Sequence, residues 1–256
     1  MNTWYGTWSF FRRESHRFLK VWRQTIGTPL MTAALYFIIF GGALGGRIGT
    51  IDGMGYLEFL VPGLAAMGMM QHAFQNTSSS MIQMKMLNML QTDLLALPLT
   101  SFQVVLAFMG SAILRGVVVG GVTLLVSRLF VPFTIQHPLV FIVSALALSG
   151  ILGLMGLVVG MYGQKFDDVA LLGNFLLTPM VYLGGVFFSV SMLPEQWQII
   201  AMGNPIFHLV DLFRYSITGI SGTHASHIAV FVVPAALMLF FGVTVVLMER
   251  GWRIKN

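Results

Sequence analysis

Asp167 and Asp168 are the only adjacent acids in a chain of 256 residues, and they stand beside Lys165 in "GQKFDDVA". Two carboxylates next to a lysine are too small a donor set for a magnesium site. The six histidines are scattered without an HExxH, and neither GxSxG nor an acidic pair within an apolar run supplies an activated nucleophile. No GxxxxGK[ST] or glycine-rich phosphate loop occurs, so the chain does not bind ATP in the usual way by itself. Catalysis by this chain is therefore not expected, nor a metal or a cofactor of its own. What remains is the chemistry of polar groups in apolar surroundings. "MGMMQHAFQN" carries Gln71, His72, Gln75 and Asn76. Asn174, Thr178 and Tyr182 recur at spacings that share one helical face, and Arg115 is a charge inside an apolar run. Work driven through such groups needs an ion gradient or a partner that hydrolyses ATP.

The elements that must position them are membrane helices. With 56% hydrophobic and 9% charged residues, the chain has too much apolar surface for one soluble core. The mean hydropathy of +0.82 agrees. Several apolar runs reach the roughly 20 residues a helix needs to cross the hydrocarbon, whereas a barrel shows short alternating segments. The net charge of +5 does not point to nucleic acid, because the basic residues cluster at the two ends, where they face lipid headgroups. Without cysteine, disulfides and thiolate metal sites are excluded.

"WSFFRRESHRFLKVWRQ" places Trp8, Phe11, Phe18, Leu19 and Trp22 on one helical face and Arg13, His16, Arg17, Lys20 and Arg23 opposite. This predicts an amphipathic helix lying in the membrane surface over residues 1–25. A signal peptide is the competing reading, but the basic region is too long and no small-residue cleavage site follows. Six spans are expected at about 26–45, 56–76, 102–128, 138–162, 168–189 and 228–248, with a tail over 249–256. An even count puts both termini on one side. With that side cytoplasmic, ten Lys or Arg lie inside against Arg47, Arg128 and Arg214 outside, which favours N-in and C-in. One membrane domain over 1–256 is expected, without a visible internal repeat.

Between spans two and three runs "MKMLNMLQTDLLALPLTS". As a helix, Met81 to Leu95 puts Lys85, Asn88 and Thr92 on one stripe and Ile82, Met86, Met89 and Leu90 on the other side, and Pro98 ends it. Such a helix either packs into a groove on another protein or rests on headgroups; the pattern fits both.

Here a resemblance enters. "TDLLALPLTSFQVVLA" is similar to the segment preceding span three in permease subunits of ABC-2 type ABC exporters. "FLLTPMVYLGGVFFSVSMLPEQWQIIAMGNPIFHLVDLFRYSITG" resembles that family's signature around span five, through Pro179, Gly184, Gly185, Phe187, Leu193, Pro194, Trp197, Asn204, Pro205, Asp211 and Arg214. "YFIIFG" in span one and "FLVPG" opening span two extend the likeness, which is closest to the YadH- and NodJ-like branch. The resemblance implies an all-α polytopic fold of the ABC-2, or type V exporter-like, kind in the bacterial inner membrane. It also implies pairing with a second copy and with two copies of a separately encoded ABC ATPase subunit, where ATP and Mg²⁺ bind. The 81–95 stretch then becomes a coupling helix, with Lys85, Asn88, Gln91 and Asp93 as ATPase contacts, Leu90 and Leu94 as apolar anchors, and Pro98 closing it. By the same likeness, Pro194, Trp197, Asn204, Pro205, Asp211 and Arg214 belong to short outer-leaflet helices that cap the pathway between spans five and six.

Spans two and five line the cavity in relatives of this fold, so Gln71, His72, Gln75, Asn174, Thr178 and Tyr182 are substrate-pathway candidates; helix-helix hydrogen bonding within one subunit is the rival reading. Arg115 is expected to pair with Asp167 or Asp168, to transmit motion, or to touch substrate. Glu58 is a gate residue, a partner for Arg47 or a headgroup contact. Gly150, Gly153, Gly156 and Gly160 predict close packing of span four. The expected function is ATP-driven export of an amphipathic or lipid-like substrate; an ion-gradient-driven transporter or channel is the alternative, weakened because only Arg115 could serve ion coupling.

Overall fold

The computed structural model describes residues 3–41, 49–87, 99–220 and 226–250. Among them the regular structure is helical apart from one hairpin, Thr50–Ile51 (β1) with Met54–Gly55 (β2). The helices are α1 (Thr3–Lys20), α2 (Trp22–Ile39), α3 (Tyr56–Met86), α4 (Ser101–Ser127), α5 (Pro138–Tyr162), α6 (Phe166–Leu172), α7 (Thr178–Tyr182), α8 (Glu195–Met202), α9 (Pro205–Thr218) and α10 (Ser226–Glu249). Three stretches, Ser101–Ser127, Pro138–Tyr162 and Phe231–Glu249, are long and apolar enough to cross a membrane. They coincide with the third, fourth and sixth expected spans, and the protein is an all-α membrane protein.

At the centre lies α3, packed along α4 on one side and α5 on the other, while α9 and α10 close around α5 and α1 and α2 lie against α4. The α3–α5 contact is tight because α5 presents glycine to it. A Cβ on Gly156 would strike the Phe74 carbonyl and Thr77 Oγ1, and one on Gly160 would meet Met81 Cβ at 2.7 Å. With the backbones this close, Thr77 Oγ1 donates across the interface to the Gly153 carbonyl at 2.6 Å, as small-residue helix contacts allow. The expected close-packing role is thus seen for Gly156 and Gly160 toward α3, while Gly153 faces Ala112 of α4 and Gly150 faces Leu237 of α10.

Span two is corrected. It was expected to end near residue 76 and to be followed by a separate helix from Met81, yet α3 continues unbroken to Met86, 31 residues in all. At 1.5 Å per residue that is about 46 Å, longer than the roughly 30 Å hydrocarbon. The polar run Asn76–Ser80 reads as a loop in sequence, but its groups are satisfied inside the protein. Ser78 Oγ bonds back to the Phe74 carbonyl, Asn76 Nδ2 donates to Ser111 Oγ of α4 at 3.0 Å, and Ser80 Oγ donates to Glu14. Glu58 turns back to the Gly55 N–H at 3.3 Å, capping the N-terminus of α3; Arg47 lies outside the described residues.

The N-terminal segment is corrected too. One helix was expected to run on to Gln24, with Trp8, Phe11, Phe18, Leu19 and Trp22 as its membrane-facing side. Instead α1 stops at Lys20, Val21 breaks the helix, and Trp22 opens α2. Thr7, Phe10, Glu14, Ser15 and Phe18 are buried, whereas Trp8, Leu19 and Trp22 are exposed. Phe10 meets Phe108 of α4 edge-on at 5.1 Å, and Phe11 covers Gly110. Neighbouring helices offer better packing than the α1 moment alone could reveal.

Span five is shorter and less regular than expected. Between α6 and α7 the chain makes a π-helical turn, Gly173–Leu177. Pro179 follows at the start of α7, where it cannot donate to the preceding turn. The wider turn absorbs that defect, with Thr178 Oγ1 donating to the Gly173 carbonyl at 3.1 Å. Helix ends at Tyr182, and Gly185, at φ +74°, turns the chain back.

Candidate functional site

Two cavities flank α3. One of about 240 Å³ lies between α2, α3 and α4, with Thr28, Thr32 and Tyr36 facing Gln71, His72 and Arg115. The other, about 580 Å³, lies between α3 and the α6–α7 segment, and is lined by Ser78, Ser79, Phe166, Val169, Asn174 and Thr178. Gln71, Gln75 and Arg115 line both. The fold therefore gathers five of the six pathway candidates around one cation. Tyr182, the sixth, lines neither cavity: it is exposed and stacks on Phe187.

The pairing of Arg115 with Asp167 or Asp168 is corrected. Arg115 lies in the middle of α4, about 21 Å from its first residue at helical rise. Its Nε is buried without a hydrogen-bond partner, as is His72 Nδ1. Asp168 is otherwise engaged: its carboxylate accepts from the Gln164 and Lys165 N–H groups at 2.8 and 3.1 Å. Capping a helix that starts at Phe166 holds that side chain at the exposed end, and Asp167 is exposed beside it. The other charge whose field reaches Arg115 is a cation, Arg17.

Arg17 belongs to a cluster that sequence reasoning missed. Glu14 is 1% exposed. It accepts from Ser80 Oγ at 2.5 Å and from Arg17 Nε at 3.3 Å, with Arg13 at 3.7 Å from its other oxygen. Arg17 reaches on to the Asn76 carbonyl at 2.5 Å and Ser79 Oγ at 3.3 Å. These contacts tie α1 to α3, and Asn76 carries the connection to α4 through Ser111. The legible signal was Glu14 itself, the one acid in the basic run "RRESHRFLKVWR", three residues before Arg17.

Of the proposed coupling residues only Lys85 is described; Asn88, Leu90, Gln91, Asp93, Leu94 and Pro98 lie outside the described residues. The Lys85 amine does not project outward. It donates to the Met161 and Gly163 carbonyls at 2.5 and 2.9 Å, capping the end of α5, as a cation at a helix C-terminus does.

The outer-cap candidates separate into clamps and surface. Asn204 caps α9 by accepting from the Ile206 N–H at 3.0 Å, and its amide donates to the Met180 carbonyl at 2.6 Å. Arg214, 3% exposed, donates to the Gly185 carbonyl at 2.6 Å and lies 3.8 Å over the Phe59 ring. Asn204 thereby holds α7 itself, and Arg214 the turn that follows it, against the core. Arg214 is thus an interior residue of a short helix, with the buried Asp211 carboxylate acting on it. Pro205 opens α9, Pro194 precedes α8, and Trp197 is half exposed on α8.

The pattern that defines the ABC-2 type transporter family matches residues 5–218. The chain is similar to the inner membrane transport permease YadH of Escherichia coli strain K12, 37% identical over 99% of this chain and 98% of that protein. It is also similar to nodulation protein J of Rhizobium leguminosarum bv. viciae, 26% identical over 84% of this chain and 82% of that one. Nodulation protein J of Rhizobium meliloti strain 1021 is 24% identical over 93% and 90% of the two chains. The match extends through the helices that surround the Arg115 cavities, and the chain belongs to the ABC-2 type transporter family.

Proposed function

We propose that this chain is the permease subunit of an ATP-driven exporter, moving an amphipathic or lipid-like substrate outward across the inner membrane. It acts with a second copy of itself and two copies of a separate ABC ATPase subunit that binds ATP and Mg²⁺. All six spans cross, with both termini cytoplasmic. The observation that carries this reading is the pair of polar cavities around Gln71, Gln75 and Arg115, set between helices that otherwise present apolar faces. A pathway with a few polar groups among apolar walls suits an amphiphile better than a small ion.

The coupling step is a population shift: ATP closes the ATPase dimer, the segment around Asp93 and Leu94 moves with it, and the cavities change the side to which they open. Because Lys85 caps α5, such movement passes to α3 and α5 together. The capping segment Pro194, Trp197, Asn204, Pro205, Asp211 and Arg214 closes the outer end. The test is reconstitution with the ATPase. Asp93→Ala combined with Leu94→Ala is expected to abolish permease stimulation of ATP hydrolysis while insertion and oligomer size stay unchanged. Unchanged stimulation sinks the coupling assignment, and transport on an ion gradient without any ATPase replaces it with the gradient-driven reading.

A further inference from the structure

Arg115 is a cation half way along a membrane helix, and among the described residues it has neither an ion pair nor a hydrogen bond. Its Nε is buried and unpartnered, and so is Nδ1 of His72 in the same cavity. A charge in such surroundings is costly unless it is paired. The groups around it, Gln71, Gln75, Asn174 and Thr178, are neutral, and the field of the like-charged Arg17 reaches it. The cavity is thus electropositive and able to donate hydrogen bonds, with no counter-charge of its own. Phe74, Phe166, Val169 and Leu177 give its other wall an apolar face.

We infer that Arg115 receives the anionic headgroup, phosphate or carboxylate, of the amphiphile this protein carries, while its apolar part lies along Phe74, Phe166 and Leu177. Guanidinium suits this task because its planar fork binds such oxyanions through two hydrogen bonds and keeps its charge when partly dehydrated. Gln71 and Gln75, one helical turn apart on α3, add amide donors from the facing wall. The assignment of the bound amphiphile as cargo rests on the exporter reading; the binding of an anionic headgroup does not.

The full chain, purified in micelles, is titrated with two short-chain probes, dihexanoyl phosphatidylglycerol and the uncharged octyl glucoside. The expected preference for the anionic probe is about tenfold or more, the scale of one charged hydrogen bond in a sheltered site. Arg115→Gln removes that preference and Arg115→Lys retains part of it. Asn174→Trp, a change at an exposed rim position, weakens both probes alike. No preference in the native protein, or a preference that survives Arg115→Gln, overturns the inference. Should Arg115→Gln not fold, the Lys and Trp variants still decide by the same criterion.

A second measurement separates cargo from resident lipid. The complex with its ATPase is placed in phosphatidylcholine vesicles holding traces of fluorescent phosphatidylglycerol or an uncharged fluorescent glycolipid. ATP-driven movement of the anionic probe that depends on Arg115 supports cargo. Movement of the glycolipid alone, with anionic binding intact, assigns the site to a fixed membrane lipid and overturns the cargo assignment. If neither probe moves with ATP, the exporter reading falls, and the binding titration alone still judges the site.

Discussion

Replacing Arg17 by alanine tests whether α1 is an integral part of the helical core or a passenger on the membrane surface. Glu14 is 1% exposed and the Arg17 side chain 28%. The arginine contacts the Asn76 carbonyl at 2.5 Å, with longer contacts of 3.3 Å to Ser79 Oγ and Glu14. A hydrogen bond to a charged group contributes about 1.5–3 kcal/mol, and partial exposure lowers the ion-pair part, so Arg17→Ala should cost about 2–3 kcal/mol. Most of that loss is the uncompensated Glu14 carboxylate and the freed Asn76 carbonyl. Glu14→Gln keeps the Ser80 contact and should cost only about 1 kcal/mol. The two changes together should fall short of the sum by about 1 kcal/mol, because an amide needs no counter-ion. The assay is reversible unfolding in mixed micelles titrated with dodecyl sulfate, followed by two spectroscopic probes to check that the transition is two-state. A loss within 0.5 kcal/mol of zero for Arg17→Ala, or strict additivity in the double variant, refutes the reasoning.

The α3–α5 interface makes a sharper steric prediction. Gly156→Val should destabilise by about 3 kcal/mol or more in the same assay, since the new side chain meets the Phe74 carbonyl and Thr77. Gly121→Ala, where nothing lies within 4 Å, should be neutral or slightly stabilising. Arg214→Ala frees the Gly185 carbonyl in a buried setting and should cost about 2–3 kcal/mol. It should also raise amide hydrogen exchange selectively over residues 183–190; exchange raised equally over all helices would refute the clamp.

Much of this architecture was open to reading from residue order because lipid imposes simple rules. The runs of α4, α5 and α10 are recognisable by length and hydropathy alone, since a spanning helix must satisfy its backbone internally and face apolar solvent. The glycines of α5 point to close packing for the same reason: without a hydrophobic drive between helices, close approach is what holds them. Gln71, Gln75, Asn174 and Thr178 stand out because amides and hydroxyls in an apolar run need partners or water.

Other features depend on partners distant in sequence, and those only the tertiary structure decided. "NTSSS" reads as a loop until Gly153, Ser111 and Glu14 are seen to satisfy its hydroxyls and amide, which lets α3 run through to Met86. Periodicity put Trp8, Phe18, Leu19 and Trp22 of the N-terminal segment on one membrane face; Trp8, Leu19 and Trp22 are exposed, but periodicity could not show that Phe18 turns inward with Phe10 and Glu14 to meet neighbouring helices. Arg115 invited an ion pair because membrane charges usually have one. Asp168 was withdrawn by a capping interaction five residues wide, Gln164 to Asp168, which no long-range argument from residue types could weigh. By itself the sequence determined a multi-pass helical membrane protein with scattered polar groups, because composition and span length suffice for that. Which polar groups satisfy one another, and which are left facing a cavity, the tertiary structure decided, since hydrogen bonds act only over a few ångströms and their partners lie as much as 139 residues apart.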